Sequence, residues 1–320
     1  MEAKTISRRE FMLKSAIGMS AASVLACSKT AESPSQMPMR VLGKTGLSVS
    51  ILSFGGGSQF LKSRDGDWEP ILQKAVAEGI NLFDTSSAYQ WGASKSSEER
   101  FGEILPAYRK NVIISTKVDT RDVSKGLQEF ERSLKRMKTD YVDILLIHSI
   151  EPSEDLAALE QGMYKELVRL KKEGQARFIG FSSMNSAEKS RDILQAFDVD
   201  VCILAMNATK YGDFAKTALP AAQAGNVGVI AMKLMRDIVG AKASAAECLQ
   251  YAWTQSGVAS AVVAHSGMDH LAANIGIAKD MGAGKLSALN RNELEERLAE
   301  LAGPHALRWA RADYYDGRIC

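Results

Sequence analysis

The sequence predicts an α/β fold, a closed (β/α)8 barrel with an N-terminal hairpin before it and a helical C-terminal tail after it. Three observations carry this. Eight short apolar runs recur between residues 51 and 263, each followed by a longer helix-like run. Each short run is apolar throughout, as expected of a parallel strand covered on both faces. The first is followed by Gly55-Gly56-Gly57-Ser58, which lacks the Gly-x-Gly-x-x-Gly spacing of an open doubly wound sheet. Count and alternation together then favour closure into a barrel.

Composition sets the outer bounds. The chain has 320 residues, 46% hydrophobic and 24% charged, proportions of a globular chain. Its formal net charge is +2, and Lys4, Arg8, Arg9 and Lys14 against Glu2 and Glu10 account for all of it. The near-neutral remainder gives no electrostatic reason to expect nucleic acid as a partner. Cys27, Cys202, Cys248 and Cys320 lie far apart with no CxxC pair, so neither a metal-ligand spacing nor a disulfide framework is present. Cys202 and Cys248 fall in apolar runs and read as small buried hydrophobes.

The first segment, residues 1–26, reads as an export signal. Ser7-Arg8-Arg9-Glu10-Phe11-Met12-Leu13-Lys14 precedes a weakly apolar stretch from Ser15 to Ala26. A basic start, a short apolar core and small residues near its end describe a secretory signal. The stretch is too short to span a bilayer, which takes about 20 residues. Paired arginines before Phe11 resemble the twin-arginine type, which implies the twin-arginine export machinery as partner and a periplasmic location. Val24-Leu25-Ala26-Cys27 is similar to a bacterial lipobox. Two readings stay open: Cys27 as a lipidated N-terminus anchoring the protein to the membrane facing the periplasm, or a cysteine beside a cleavage site. Residues 27–38 are polar with Pro34 and Pro38 and suit a flexible linker. Residues 39–320 form the barrel with its tail.

The barrel opens with Met39–Leu42 and Leu47–Ser50 around Gly43-Lys44-Thr45-Gly46, a hairpin signal. A phosphate loop is excluded there, because Pro38 stands where its first glycine is required. Strands are predicted at 51–54, 80–83, 112–116, 142–147, 178–181, 201–204, 227–231 and 260–263. Helices are predicted at 68–78, 97–105, 124–136, 156–173, 187–196, 214–224, 243–254 and 268–278, and several end at glycine, as at Gly79, Gly174 and Gly225. Residues 290–302 read as a closing helix.

A barrel gathers its chemistry at the C-terminal ends of its strands. Asp84, Lys117 and His148 end the second, third and fourth strands, and Tyr89 lies five residues beyond Asp84. A lone Asp at a strand end is an ordinary helix cap, and a lone Lys or His has an ordinary structural reading too. The set of four has a joint chemistry. A carbonyl that accepts a hydride needs a proton at its oxygen, and a free tyrosine, with pKa near 10, is a weak donor at neutral pH. A neighbouring ammonium lowers that pKa, a carboxylate holds the ammonium, and an imidazole orients the carbonyl.

The order Asn81-Leu82-Phe83-Asp84-Thr85-Ser86-Ser87-Ala88-Tyr89, then Ser115-Thr116-Lys117, then Leu145-Leu146-Ile147-His148 resembles the catalytic tetrad of the aldo-keto reductases. Met39–Ser50 and Gly174–Ser182 are also similar to that family, and the resemblance covers roughly residues 39–280. It implies an oxidoreductase that moves a hydride between NADP or NAD and a small-molecule carbonyl or alcohol, with Tyr89, Asp84, Lys117 and His148 catalytic. It also implies where the cofactor sits. Ser182 and Ser183 stand where the family has a Ser-Asn pair on the nicotinamide amide. Asn207 stands in for a glutamine that the sixth strand lacks. Met232 and Lys233 end the seventh strand, where an aromatic normally stacks. Ser266 and Gly267 open the helix after the eighth strand, whose free N–H groups suit phosphate. His270 occupies the place of a basic 2′-phosphate ligand, and Asn274 that of an adenine contact. Trp309 and Tyr315 are candidates for the substrate mouth or for a packed tail. A second class of function keeps the barrel but not the chemistry: a non-catalytic nicotinamide-nucleotide sensor or scaffold.

Overall fold

The computed structural model describes residues 36–90, 92–240 and 242–317. The export signal, Cys27, most of the linker and Cys320 lie outside them. Ten strands form. β1 (Met39–Val41) and β2 (Ser48–Ser50) pair antiparallel as the expected hairpin. The other eight are β3 (Leu52–Gly55), β4 (Leu82–Asp84), β5 (Ile113–Val118), β6 (Val142–Ile147), β7 (Ala176–Ser183), β8 (Val201–Ala205), β9 (Gly228–Met232) and β10 (Val258–Val263). They close into a parallel barrel in the order β10-β3-β4-β5-β6-β7-β8-β9. All eight predicted strands are present, displaced by a few residues at their ends.

The fold separates two apolar layers. Leu82, Ile144, Leu146, Val201, Ile203 and Ile230 fill the barrel interior, and Leu42 and Val49 of the hairpin join them from below. Alternate strand residues face outward and meet the helices. Trp68, Phe101, Phe130, Leu167 and Leu249 belong to this larger outer core. The hairpin plugs the end of the barrel where strands begin. Gly43 has φ +49, and a Cβ there would lie 2.3 Å from the Gly228 nitrogen, so both turn and contact require glycine. Arg40 Nη1 ties the hairpin down by donating to the carbonyls of Trp253 and Val258, each at 2.8 Å.

Two expectations are corrected. Residues 156–173 do not form one helix: Leu156–Leu159 and Lys165–Lys172 are helical, and between them Gly162 has φ −100 and ψ −116. A glycine inside a helix is a weak point, and here it carries a kink. Residues 214–224 likewise form two helices, Phe214–Thr217 and Leu219–Ala224, with Pro220 at the start of the second; at the end of the expected linker, Met37 is buried and the Pro38 carbonyl accepts from Ile51 N–H at 2.9 Å.

Candidate active site

With the hairpin closing one end, the other end is a bowl formed by the C-terminal ends of the strands. β4 ends on Asp84, β5 carries Lys117 one residue before its end, and β6 runs directly into His148. Lys117 Nζ donates to Asp84 Oδ2 and to the Thr85 carbonyl, both at 2.6 Å, while Ser115 Oγ donates to Asp84 Oδ1 at 2.8 Å. Both members of the ion pair are buried. Lys117 Nζ lies 5.2 Å from the centre of the Tyr89 ring. The Tyr89 ring packs edge-on to His148 with centres 5.6 Å apart. All four residues expected to act together therefore meet.

Asp119, Asp316 and Tyr314, which sequence reasoning missed, complete the bowl together with Lys233. Asp119, two residues past Lys117, accepts from or faces His148 Nδ1 at 2.8 Å. Asp316 enters from the tail: Tyr89 donates its hydroxyl proton to Asp316 Oδ2 at 2.6 Å, and His148 Nε2 lies 3.3 Å from the same oxygen. Lys233 Nζ donates to Asp316 Oδ1 at 2.5 Å, and the Tyr314 hydroxyl reaches that oxygen at 2.9 Å. Both ring nitrogens of His148 thus face carboxylates, an arrangement that only the doubly protonated ring satisfies fully. The sequence signal was faint: an Asp-Gly step beside two tyrosines after the closing helix.

The electrostatics follow from these contacts. Burial would lower the His148 pKa, but hydrogen bonds to Asp119 and Asp316 outweigh it and raise it. Burial works against ionised Asp316, yet the Lys233 charge and His148 hold its carboxyl well below the usual range. Lys233 is also buried, and Asp316 nonetheless pushes it up to about 12. Tyr89 departs from the expected lowering. Burial, then the charges of Asp316 and Asp84, push its pKa well above 10. The nearby ammonium is already neutralised by Asp84, so in this arrangement it cannot prevail.

A cavity of about 510 Å³ leads away from Tyr89, a volume suited to a cofactor-sized ligand. Lys233, Ser266, His270 and Asn274 line it, as does Met232. Gly267 begins the helix Met268–Gly282 without a side-chain cap, which leaves first-turn N–H groups for an anion. This end of the expected cofactor site fits a dinucleotide phosphate. Ser182, Ser183 and Asn207 do not line the cavity. Ser182 Oγ accepts from Ser149 N–H at 3.0 Å, and Ser183 Oγ donates to the Ile150 and Ser186 carbonyls. Asn207 donates to the Lys233 carbonyl at 3.1 Å and accepts from Thr209. These side chains brace the strand ends from behind. Trp309 is buried against Tyr211, and Tyr314, not Tyr315, lines the cavity.

Known proteins resemble this chain to differing extents. The model of the aldo/keto reductase family matches residues 52–237. L-galactose dehydrogenase of Arabidopsis thaliana is 35% identical over 164 residues, 47% of this chain and 49% of that protein. L-glyceraldehyde 3-phosphate reductase of Escherichia coli K12 is 32% identical over 193 residues, 52% of each. The chain thus spans about half the length of the curated relatives it matches. A crystal structure from Pseudomonas aeruginosa, assigned to the aldo-keto reductases, superposes with TM-score 0.63 at 30% identity, covering 76% of this chain and 95% of that one. With the matched model spanning β3 to the end of β9 and the barrel closed around the same strand ends, the chain belongs to the aldo/keto reductase family.

Proposed function

We propose that the chain transfers a hydride between NADPH or NADH and the carbonyl of a small molecule. The observation that carries this is the meeting of Asp84, Lys117, Tyr89 and His148 at three adjacent strand ends. A bound nicotinamide would supply the hydride. The chain's own residues manage the proton and the orientation. The Tyr89 hydroxyl gives its proton to the carbonyl oxygen. His148, held by Asp119 through Nδ1, directs Nε2 at that oxygen. Asp316 Oδ2 marks the oxygen's place, since it touches the Tyr89 hydroxyl and faces His148 Nε2. Lys117, fixed by Asp84, faces the Tyr89 ring and stabilises negative charge that develops on the phenol oxygen. Ser266, His270 and Asn274, which line the cavity, would hold the phosphate and adenine end.

Replacing Tyr89 by Phe removes the proton donor and leaves the far end of the cavity intact. The expected result is a fall of about 10²–10⁴ in kcat, with dinucleotide binding retained by fluorescence titration. A variant with wild-type kcat would refute the role. The sensor reading gains from one observation, the Asp316 carboxylate seated on Tyr89. Dinucleotide binding without turnover of any carbonyl compound would favour it.

We also read residues 1–26 as a twin-arginine signal that delivers the barrel to the periplasmic side, with Cys27 as lipid anchor or as a cysteine next to the cleavage site. The support is the run Ser7–Lys14 and the residues up to Cys27. Replacing Arg8 and Arg9 by Lys should hold the protein in the cytoplasm, and palmitate labelling that is lost in Cys27→Ser separates the two readings.

A further inference from the structure

The two oxygens of Asp316 are held at two different places. Oδ2 sits where the reacting oxygen belongs, at Tyr89 and His148. Oδ1 sits on Lys233 Nζ at 2.5 Å. Lys233 is thus a cation one carboxylate away from the reacting oxygen, and the proton transfer described above makes no use of it. Its placement is costly. The side chain is only 12% exposed, and the backbone has φ +59, a region that residues with a side chain enter rarely. Asn207 holds that turn through the Lys233 carbonyl.

The tail is shaped to reach this point. Gly317 has φ +90, and a Cβ there would lie 2.3 Å from Tyr89 Cδ1. The backbone passes flat over the Tyr89 ring, which glycine alone permits. With Asp316 seated, no carbonyl oxygen reaches Tyr89. With Asp316 gone, Lys233 faces the cavity without its carboxylate and keeps only the Tyr314 hydroxyl, at 3.1 Å, as a partner. An occupant of the bowl that carries negative charge restores the lost ion pair. A dinucleotide pyrophosphate does not serve, because a ribose separates it from the nicotinamide carbon that gives up the hydride, whereas Lys233 lies beside Tyr89.

We infer that the substrate itself brings the charge: Lys233 selects 2-oxo carboxylates, with the keto oxygen at the Oδ2 position and the neighbouring carboxylate at the Oδ1 position. Asp316 is the internal occupant that such a substrate displaces. The inference rests on the hydride-transfer reading. In the reduction, C2 gains a C–H bond with the two electrons of the hydride. The carbonyl π pair moves to oxygen and takes the Tyr89 proton. The products are a 2-hydroxy carboxylate and the oxidised nicotinamide. An internal competitor raises the apparent KM by the inverse of the fraction of molecules with the tail released.

The test compares kcat/KM for pyruvate and methyl pyruvate, using the full chain with reduced nicotinamide dinucleotide. The wild type should favour the acid by about tenfold or more, since a site built for a polar group rejects the analogue lacking it. Lys233→Met should bring the acid-to-ester ratio near one, Lys233→Arg should keep most of it, and Asp316→Asn should lower KM for pyruvate several-fold. An acid-to-ester ratio equal in wild type and Lys233→Met overturns the inference. A second measurement needs neither cofactor nor turnover. Oxalate should raise the Tm of wild type, raise that of Asp316→Asn further, and leave Lys233→Met unmoved. If inorganic pyrophosphate, and not oxalate, shifts Tm through Lys233, the lysine is a phosphate ligand and the inference falls. Reduction of neutral carbonyls without oxalate binding sinks the inference alone. Oxalate binding through Lys233 without reduction of any carbonyl upholds the anion site and sinks the hydride-transfer reading.

Discussion

Replacing Lys117 by Met separates the structural from the chemical role of the bowl. The Lys117–Asp84 pair is 2.6 Å long, with side chains only 2% and 7% exposed. Removing the ammonium strands a buried carboxylate that keeps one hydrogen bond, from Ser115. Breaking a buried pair in this way costs about 3–5 kcal/mol. At about 2–3 °C per kcal/mol for a chain of this size, Tm should fall by roughly 6–15 °C. The double variant Asp84→Asn, Lys117→Met removes both charges and should recover most of that loss. Activity should not return with it, because neither variant has an ammonium facing Tyr89, and kcat should stay about 10²–10⁴ lower in both. Calorimetry and carbonyl-dependent oxidation of the reduced cofactor read the two quantities. A Tm for Lys117→Met within about 2 °C of wild type, the effect of a single weak contact, would refute the buried-pair reasoning. Recovery of kcat in the double variant would refute the chemical role.

Two further outcomes concern pH. His265 is buried against Phe54, neither ring nitrogen has a hydrogen-bond partner, and burial, with a smaller contribution from His270, pushes its pKa down to about 3. A histidine neutral in the fold and protonated in the unfolded chain gives stability that is present above about pH 6.5 and lost as pH falls toward 3. Between pH 7 and pH 5 this amounts to about 2 kcal/mol. Thermal denaturation of His265→Leu should lose that part of the acid sensitivity, and an unchanged pH 5 deficit would refute it. Tail docking has the opposite dependence through His148. Its raised pKa makes the grip on Asp316 full below its ordinary value and lost as pH rises through the raised one. Asp316, held low, supports docking down to acid pH. Lys233, near 12, and Tyr89, above 10, do not titrate in between, and Lys117–Asp84 and Asp119 complete the charged surroundings. Trypsin should therefore cut at Arg311 faster, relative to a control peptide, at pH 9 than at pH 6, and Asp316→Asn should abolish the difference. Equal pH dependence in both would count against the His148 grip.

The barrel was legible because its strands are short apolar runs that no exposed element could carry, and because Gly79, Gly174 and Gly225 punctuate them. The four residues of the bowl were legible for a related reason. A polar residue directly after such a run sits at a strand end, so position in the run sets position in space. What the sequence did not show was anything decided by tertiary approach. Ser182 and Ser183 occupy the right strand end, yet Ser149, Ile150 and Ser186 claim their hydroxyls. Gly162 was visible in the sequence, but the helical period on either side of it masked the kink. Asp316 lies 227 residues from the tyrosine it touches. Nothing local distinguishes it from a solvated tail carboxylate, and only the return of the chain over the bowl gives it a partner.

That return changes what Tyr89 can do as well as what can reach it. A donor serves reduction in its protonated form, and the reverse oxidation needs the phenolate as acceptor. Burial first, and then the Asp316 charge, hold Tyr89 protonated while the tail is seated. When a neutral carbonyl compound replaces the tail, that negative charge leaves, Lys233 is uncovered, and the phenol pKa falls. When a 2-oxo carboxylate replaces it, the charge is restored at the same lysine and the phenol stays a proton donor. The same anion therefore satisfies Lys233 and keeps Tyr89 in the form that reduction requires. When a neutral substrate displaces the tail, the cation beside the reacting oxygen loses its carboxylate and keeps the Tyr314 hydroxyl. An acidic substrate restores that carboxylate, at a lysine whose backbone is held at φ +59.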